Sequence, residues 1–177
     1  MLSFVATALR CRSRWTIPAR RMHRLKPESH FMTTLRELMA ADHRRCDDCF
    51  VSVEQAIAAV AWDDAGKAFA RFEQAMQRNF SAEEGVLFPA FEQRAGMRMG
   101  PTQVMCAEHA QMRQLLAAAE VSLAARDAED CSGNAETLLI MMQQHNMKEE
   151  NVLYPMCDQQ LGGAPELLEQ LRCAIAG

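Results

Sequence analysis

Two segments of the chain are near copies of each other, and each centres on a pair of adjacent glutamates. Residues 79–89 read NFSAEEGVLFP and residues 145–155 read HNMKEENVLYP. At an offset of 66 residues they agree at five of eleven positions (both glutamates, valine, leucine and proline), and Phe88 faces Tyr154 as a conservative change. The break that alters chemistry is His145 against Asn79. The same offset superimposes Met39 on Met105, Asp42 on Glu108, His43 on His109, Phe50 on Leu116, Ile57 on Leu123 and Met76 on Met142. Such a chain reads as a duplicated helix pair, expected to pack with approximate two-fold symmetry.

Apolar periodicity supports helices throughout. From about residue 29 to 60 the seam runs Leu35, Met39, His43, Cys46, Phe50, Val53, Ile57, in steps of three and four. Asp63 or Asp64 is expected to cap a second helix with seam Phe69, Phe72, Met76, Asn79, Glu83, Leu87. A third, from Thr102 to about Arg126, carries Met105, His109, Met112, Leu116 and Leu123, and Ser132-Gly133-Asn134 is expected to turn the chain into a fourth with Leu138, Met142, His145, Glu149 and Leu153. Gly162, Gly163 and Pro165 separate off a short closing helix through about Ile175. Four long amphipathic helices with short connections predict an all-α, antiparallel four-helix bundle with a short extra C-terminal helix. Proline in each LFP or LYP segment removes a backbone donor, which predicts a kink just past each glutamate pair.

Charge divides the chain. Residues 1–27 hold seven Lys and Arg and no acid, whereas the other 150 hold twelve bases against 23 acids. Residues 1–28 are accordingly read as a basic, disordered extension, either an organelle transit peptide or an over-extended start, and 29–177 as the bundle. The expected location is the cytoplasm, or the mitochondrial matrix if the extension is a transit peptide. The acidic body argues against nucleic-acid binding and no apolar run reaches membrane-spanning length. An odd count of seven cysteines without a repeated CxxC pair predicts free thiols in a reducing compartment.

The seams contain residues that do not belong in an apolar core. His145 and Glu149 are four apart and project from one helix face. His43, Glu83 and His109 take equivalent places on the other three helices. Bare carboxylates there would cost several kcal/mol each, and no Lys or Arg lies in those seams to pair with them. A bound cation resolves this: two carboxylates can bridge two metal ions roughly 3.5–4 Å apart with imidazoles as terminal ligands. Nitrogen and oxygen donors suit iron, manganese or zinc, and argue against calcium and thiolate-type copper.

At these residues the chain resembles the hemerythrin-like, or HHE cation-binding, family, whose pattern is a lone His, an HxxxE leading into EExxLFP, a second lone His and a second HxxxE. The matching positions are His43, Asn79 with Glu83, His109, and His145 with Glu149, followed by Leu87-Phe88-Pro89 and Leu153-Tyr154-Pro155. The resemblance implies a four-helix bundle around a non-haem centre of two irons, bridged by the glutamates and an oxygen species, with O2, nitric oxide or peroxide as small ligand. One metal ion, or zinc or manganese, is the alternative occupancy. The respiratory carriers of the family have HxxxH in the third helix; here Arg113 follows His109, which points to the branch alternating lone His with HxxxE.

Asn79 departs from that pattern, leaving one metal short of an imidazole. The gap is filled by water or the Asn79 oxygen, or by the thiolates of Cys46 or Cys106, each one turn from a seam histidine, or the site holds fewer ions. Asn79→His should then raise metal occupancy. Three functions follow: binding or sensing of a diatomic or peroxide ligand, an enzyme of oxidative or nitrosative stress or iron-centre repair, and a metal-poor interaction scaffold. The first is the leading expectation, with the protein partner left open. Glu84 and Glu150 are expected off the seam, in supporting rather than ligating roles.

Overall fold

The computed structural model describes residues 34–96, 100–162 and 164–176; the basic extension and every expectation about it lie outside them. The elements are α1 (Leu35–Ala58), α2 (Trp62–Ala82), α3 (Phe88–Ala95), α4 (Pro101–Ala124), α5 (Ala128–Lys148), α6 (Tyr154–Leu161) and α7 (Pro165–Ala176). Wide π-helical turns, Glu83–Leu87 and Glu149–Leu153, join α2 to α3 and α5 to α6. Helix α1 packs back on α2 and α4 on α5 across short turns, so the described residues form the expected antiparallel four-helix bundle closed by a short C-terminal helix. None of these helices is long and apolar enough to cross a membrane.

The duplication extends to the backbone. Every boundary from Leu35 to Ala95 recurs 66 residues later, from Pro101 to Leu161. Left-handed residues recur too: Val60 and Arg126 both have φ 56° in the turns after α1 and α4, and Gly96 and Gly162 end α3 and α6 at φ 66° and 35°. None of these positions belongs to the motif that first revealed the repeat.

At the positions of the expected kinks the chain makes π turns. Pro89 and Pro155 cannot donate to the preceding turn, and the amides of Phe88 and Tyr154 instead reach back five residues to the carbonyls of Glu83 and Glu149. Each helix thus gains one residue in the turn that begins at its buried glutamate.

Two expectations about helix ends are corrected. Ser132, Gly133 and Asn134 lie inside α5, and the turn falls earlier, at residues 125–127. Asp127 accepts from the amides of Glu129 and Asp130 at 3.1 Å each, Cys131 is buried, and Asn134 Nδ2 bonds Ser122 Oγ at 3.2 Å. These interactions outweigh the ~1 kcal/mol a mid-helix glycine costs relative to alanine. Asp127→Ala is expected to destabilise the fold by about 1 kcal/mol, read from the urea midpoint. In α2 the cap position is Ala61, without a side-chain bond; Asp63 and Asp64 sit in the first turn, where they complement the helix dipole.

Other ends are tied down across the fold. Thr34 and Glu37 form a capping box at α1, and Asp158 of α6 accepts from the Leu35 amide at 2.8 Å. Arg45 Nη2 donates to the Ile175 carbonyl at 2.7 Å near the end of α7, whose Leu171 is fully buried against the bundle.

The core is in two parts. One cluster contains Cys46, Phe50, Phe72, Met76, Met112, Leu116, Leu138 and Met142. The other contains Met39, Ala82, Leu87, Phe88, Met105, Leu153, Tyr154 and Leu171. Along each long helix the sequence passes from one cluster to the other through a polar layer: His43 between Met39 and Cys46, Asn79 between Met76 and Ala82, His109 between Met105 and Met112, and His145 and Glu149 between Met142 and Leu153.

Candidate metal centre

Four of the five residues singled out as ligands converge. Donor atoms of Glu83, His109, His145 and Glu149 all lie within 4.8 Å of one another, and all four side chains are buried. His43 stands beside the group, its Nε2 3.3 Å from Glu149 Oε2. His109 Nε2 is 3.1 Å from Glu83 Oε2 and 3.0 Å from His145 Nε2, which is 3.3 Å from Glu149 Oε1. The three imidazoles therefore present the same ring nitrogen to a pair of carboxylates.

The opposite ring nitrogens face outward onto acids. His43 Nδ1 meets Glu150 at 2.9 Å, His109 Nδ1 meets Glu84 at 2.8 Å and His145 Nδ1 meets Glu108 at 2.9 Å. Glu84 is forked by Arg113 at 2.9 and 3.0 Å, and Glu108 is paired with Lys148. Such carboxylates accept from Nδ1 and turn each Nε2 inward. Glu84 and Glu150 are thus placed off the cluster, as their position beside the seam implied; Glu108 in this role had no sequence signal beyond its alignment with Asp42. Asp42 itself receives Nδ2 of Asn79 at 3.1 Å. The amide thus repeats the bond that His145 makes to Glu108 in the other half.

Neither thiol joins the group. Cys46 is buried among Phe50 and its apolar neighbours, and burial pushes its pKa far above the usual range, so it is a small apolar filler. Cys106 is exposed on α4. All six cysteines among the described residues are free.

Tyr154 is the site residue that the sequence reasoning missed. Its hydroxyl lies 3.0 Å from His43 Nε2 and 3.0 Å from Glu149 Oε2, and donates to Glu83 Oε1. The one available signal was that the chain contains a single tyrosine and places it in the repeated motif opposite a phenylalanine.

The electrostatics are set by burial and by the mutual influence of the carboxylates and imidazoles. Burial, then the neighbouring Glu149, raises the Glu83 carboxyl above its ordinary range. Burial works the same way on Glu149, but the imidazoles of His145 and His43, each 3.3 Å from one of its oxygens, overcome it and hold the carboxyl down to about 2. His43 is raised to about 10: burial opposes its charge, and the bonds to Glu149 and Glu150 prevail. His145 is raised for the matching reason, with Glu149 and Glu108 prevailing over burial. The two glutamates are thus pushed in opposite directions, Glu83 up by burial and Glu149 down by its imidazole neighbours.

This donor set fits a cation. Glu83 Oε2 and Glu149 Oε1 are buried and make no hydrogen bond, although an imidazole Nε2 stands 3.1 and 3.3 Å away. The facing Nε2 atoms of His109 and His145, 3.0 Å apart with Nδ1 of each held by a carboxylate, present two lone pairs to one another unless a proton or metal lies between them. Among the described residues no Lys or Arg pairs with Glu83 or Glu149. Compared with known proteins, the chain matches the family described as Hemerythrin HHE cation binding domain over residues 34–157. No curated protein and no solved structure matches it.

Proposed function

The chain belongs to the hemerythrin HHE cation-binding domain family, and from that premise we propose that it is a non-haem iron protein that binds or senses a small ligand, O2, nitric oxide or peroxide, at the buried centre between its two helix pairs. The observation that carries this reading is the pair of buried carboxylate oxygens without a hydrogen bond, each beside an inward imidazole nitrogen. His43, Glu83, His109, His145 and Glu149 are the residues that would hold the metal. Iron held by such nitrogen and oxygen donors supplies redox activity and coordination positions for a small molecule.

The protein's own contribution is preorganisation. Glu84, Glu108 and Glu150 fix the three rings, and Phe80 stacks on His109 with centroids 4.2 Å apart. Glu83, His109 and Glu149 are wholly inaccessible, so bulk water is excluded and only a small molecule can approach. Glu108→Gln is expected to weaken metal affinity roughly 10–100-fold, because the His145 ring loses the acceptor that sets its tautomer. A chelator competition against the parent protein measures this directly.

The reading is tested by anaerobic loading with ferrous iron, followed by metal analysis and visible spectra before and after air or nitric oxide. Two irons per chain and a reversible spectral change on ligand exposure are expected. Absence of stoichiometric iron would leave the interaction-scaffold alternative, and catalytic consumption of peroxide or nitric oxide beyond one equivalent per site would replace binding with turnover.

A further inference from the structure

The two halves of the centre are unequal, and the inequality is complementary. Around His109 stand a second imidazole, His145, and Phe88, the aromatic residue after the π turn of the other helix pair, whose ring centroid lies 6.0 Å from that of His109. The half around His43 has Asn79 where the second imidazole would stand, and the corresponding aromatic residue is Tyr154, 5.6 Å from His43. The amide of Asn79 is committed to Asp42. An oxygen-bearing ring thus appears on the side that lacks an imidazole, and an oxygen-free ring on the side that has both.

The hydroxyl is aimed at the centre. It touches His43 Nε2, Glu149 Oε2 and Glu83 Oε1, an atom from the lone imidazole of the opposite helix pair and one from each buried carboxylate. A phenol has one proton to donate and here meets three such atoms, all buried. The π turn makes this possible. In an unbroken α-helix Tyr154, five residues after Glu149, would lie roughly 140° around the axis from it, and the extra residue of the turn at Glu149–Leu153 brings both side chains to one face.

Building on the iron-binding reading, we infer that Tyr154 is a metal ligand of this chain, its phenolate oxygen replacing the imidazole that Asn79 does not supply. When the oxygen–metal bond forms, the O–H bond breaks and the proton leaves to solvent; no electron moves in this step. A hard anionic oxygen in place of a neutral nitrogen favours the ferric over the ferrous state at that position.

The test uses the full chain loaded anaerobically with ferrous iron and then oxidised by air. The wild type is expected to bind two irons and to show a visible phenolate-to-ferric charge-transfer band with resonance-enhanced tyrosine ring vibrations. Tyr154→Phe, which copies the residue already present at position 88, is expected to lose the band and one of the two irons while keeping its helical circular dichroism. The double variant Asn79→His, Tyr154→Phe is expected to regain the second iron without the band. Two irons in the wild type with no charge-transfer band, or a band that survives in Tyr154→Phe, would overturn the inference and leave the iron-binding reading standing. No iron uptake by the wild type would overturn both.

Discussion

Glu149→Gln is expected to abolish stoichiometric iron binding while leaving a folded protein. Glu149 is the most connected acid of the centre, with oxygens 3.3 Å from His43 Nε2, 3.3 Å from His145 Nε2 and 3.0 Å from the Tyr154 hydroxyl. It therefore reaches both halves of the duplicated bundle from one side chain. An amide of the same shape fills the space but brings no charge to balance a bound cation. Without metal, the exchange replaces a buried carboxylate held ionised by two imidazoles with a neutral group, and the stability change should stay within about 1–3 kcal/mol. With metal, the difference should be larger. A ligand present at a thousandfold excess over its dissociation constant adds about 4 kcal/mol to the native state, and the variant forfeits that gain. Melting curves with and without iron separate the two effects. A variant that still melts higher with iron, or still carries two irons per chain, would show that Glu149 does not bridge the site.

The layering of the fold was legible because helical burial is periodic. Met39, His43, Cys46 and Phe50 all lie on the buried face of α1, and the same holds around His109 on α4. The duplicated motif also carried the correct register for Glu83, His109, His145 and Glu149, since one offset aligns every helix boundary of the two pairs. Two kinds of information were beyond that periodicity. The first was local competition among backbone signals: Ser132-Gly133-Asn134 looks like a turn by composition, yet Asp127 caps the helix ahead of it and Asn134 finds its partner in Ser122 on the neighbouring helix. The second was phase. A seam counted at 3.6 residues per turn passes through Leu153 and leaves Tyr154 off it, and only the extra residue of the π turn restores Tyr154 to the face of Glu149. The proline that forces this turn was noticed for the kink it imposes, whereas its consequence for side-chain direction needed the structure. Outward acids such as Glu108 were equally hidden, because a carboxylate on a helix flank has the same pattern whether it is solvated or bonded to an imidazole.

Phe80→Ala is expected to damage stability and site together, because this ring belongs to both. It is wholly buried in the cluster that holds Phe72, Met112 and Leu116, and its opposite surface stacks on His109. The guanidinium carbon of Arg113 lies 4.9 Å from its centroid, and the same guanidinium forks onto Glu84, which holds His109 Nδ1 at 2.8 Å. Removing the ring leaves a cavity in a close-packed core, costing about 3–5 kcal/mol, with about 0.5–2 kcal/mol of cation–π attraction lost beside it. Against a total of roughly 5–15 kcal/mol for a domain, a large drop in the denaturant midpoint of the metal-free protein should follow. Phe80→Leu separates the two roles, since it refills most of the volume and supplies no flat surface for the imidazole. It should recover much of the lost stability and still bind iron more weakly than the parent, because the His109 ring then loses its closest stacking partner and keeps only Glu84 and the more distant Phe88. Equal iron affinity in Phe80→Leu and the parent would assign the ring to packing alone. A metal-free Phe80→Ala protein within 1 kcal/mol of the parent, a tolerance set at about half of what burying one such side chain contributes, would mean that the core closes around the gap and that the polar layer does not depend on the apolar cluster beneath it.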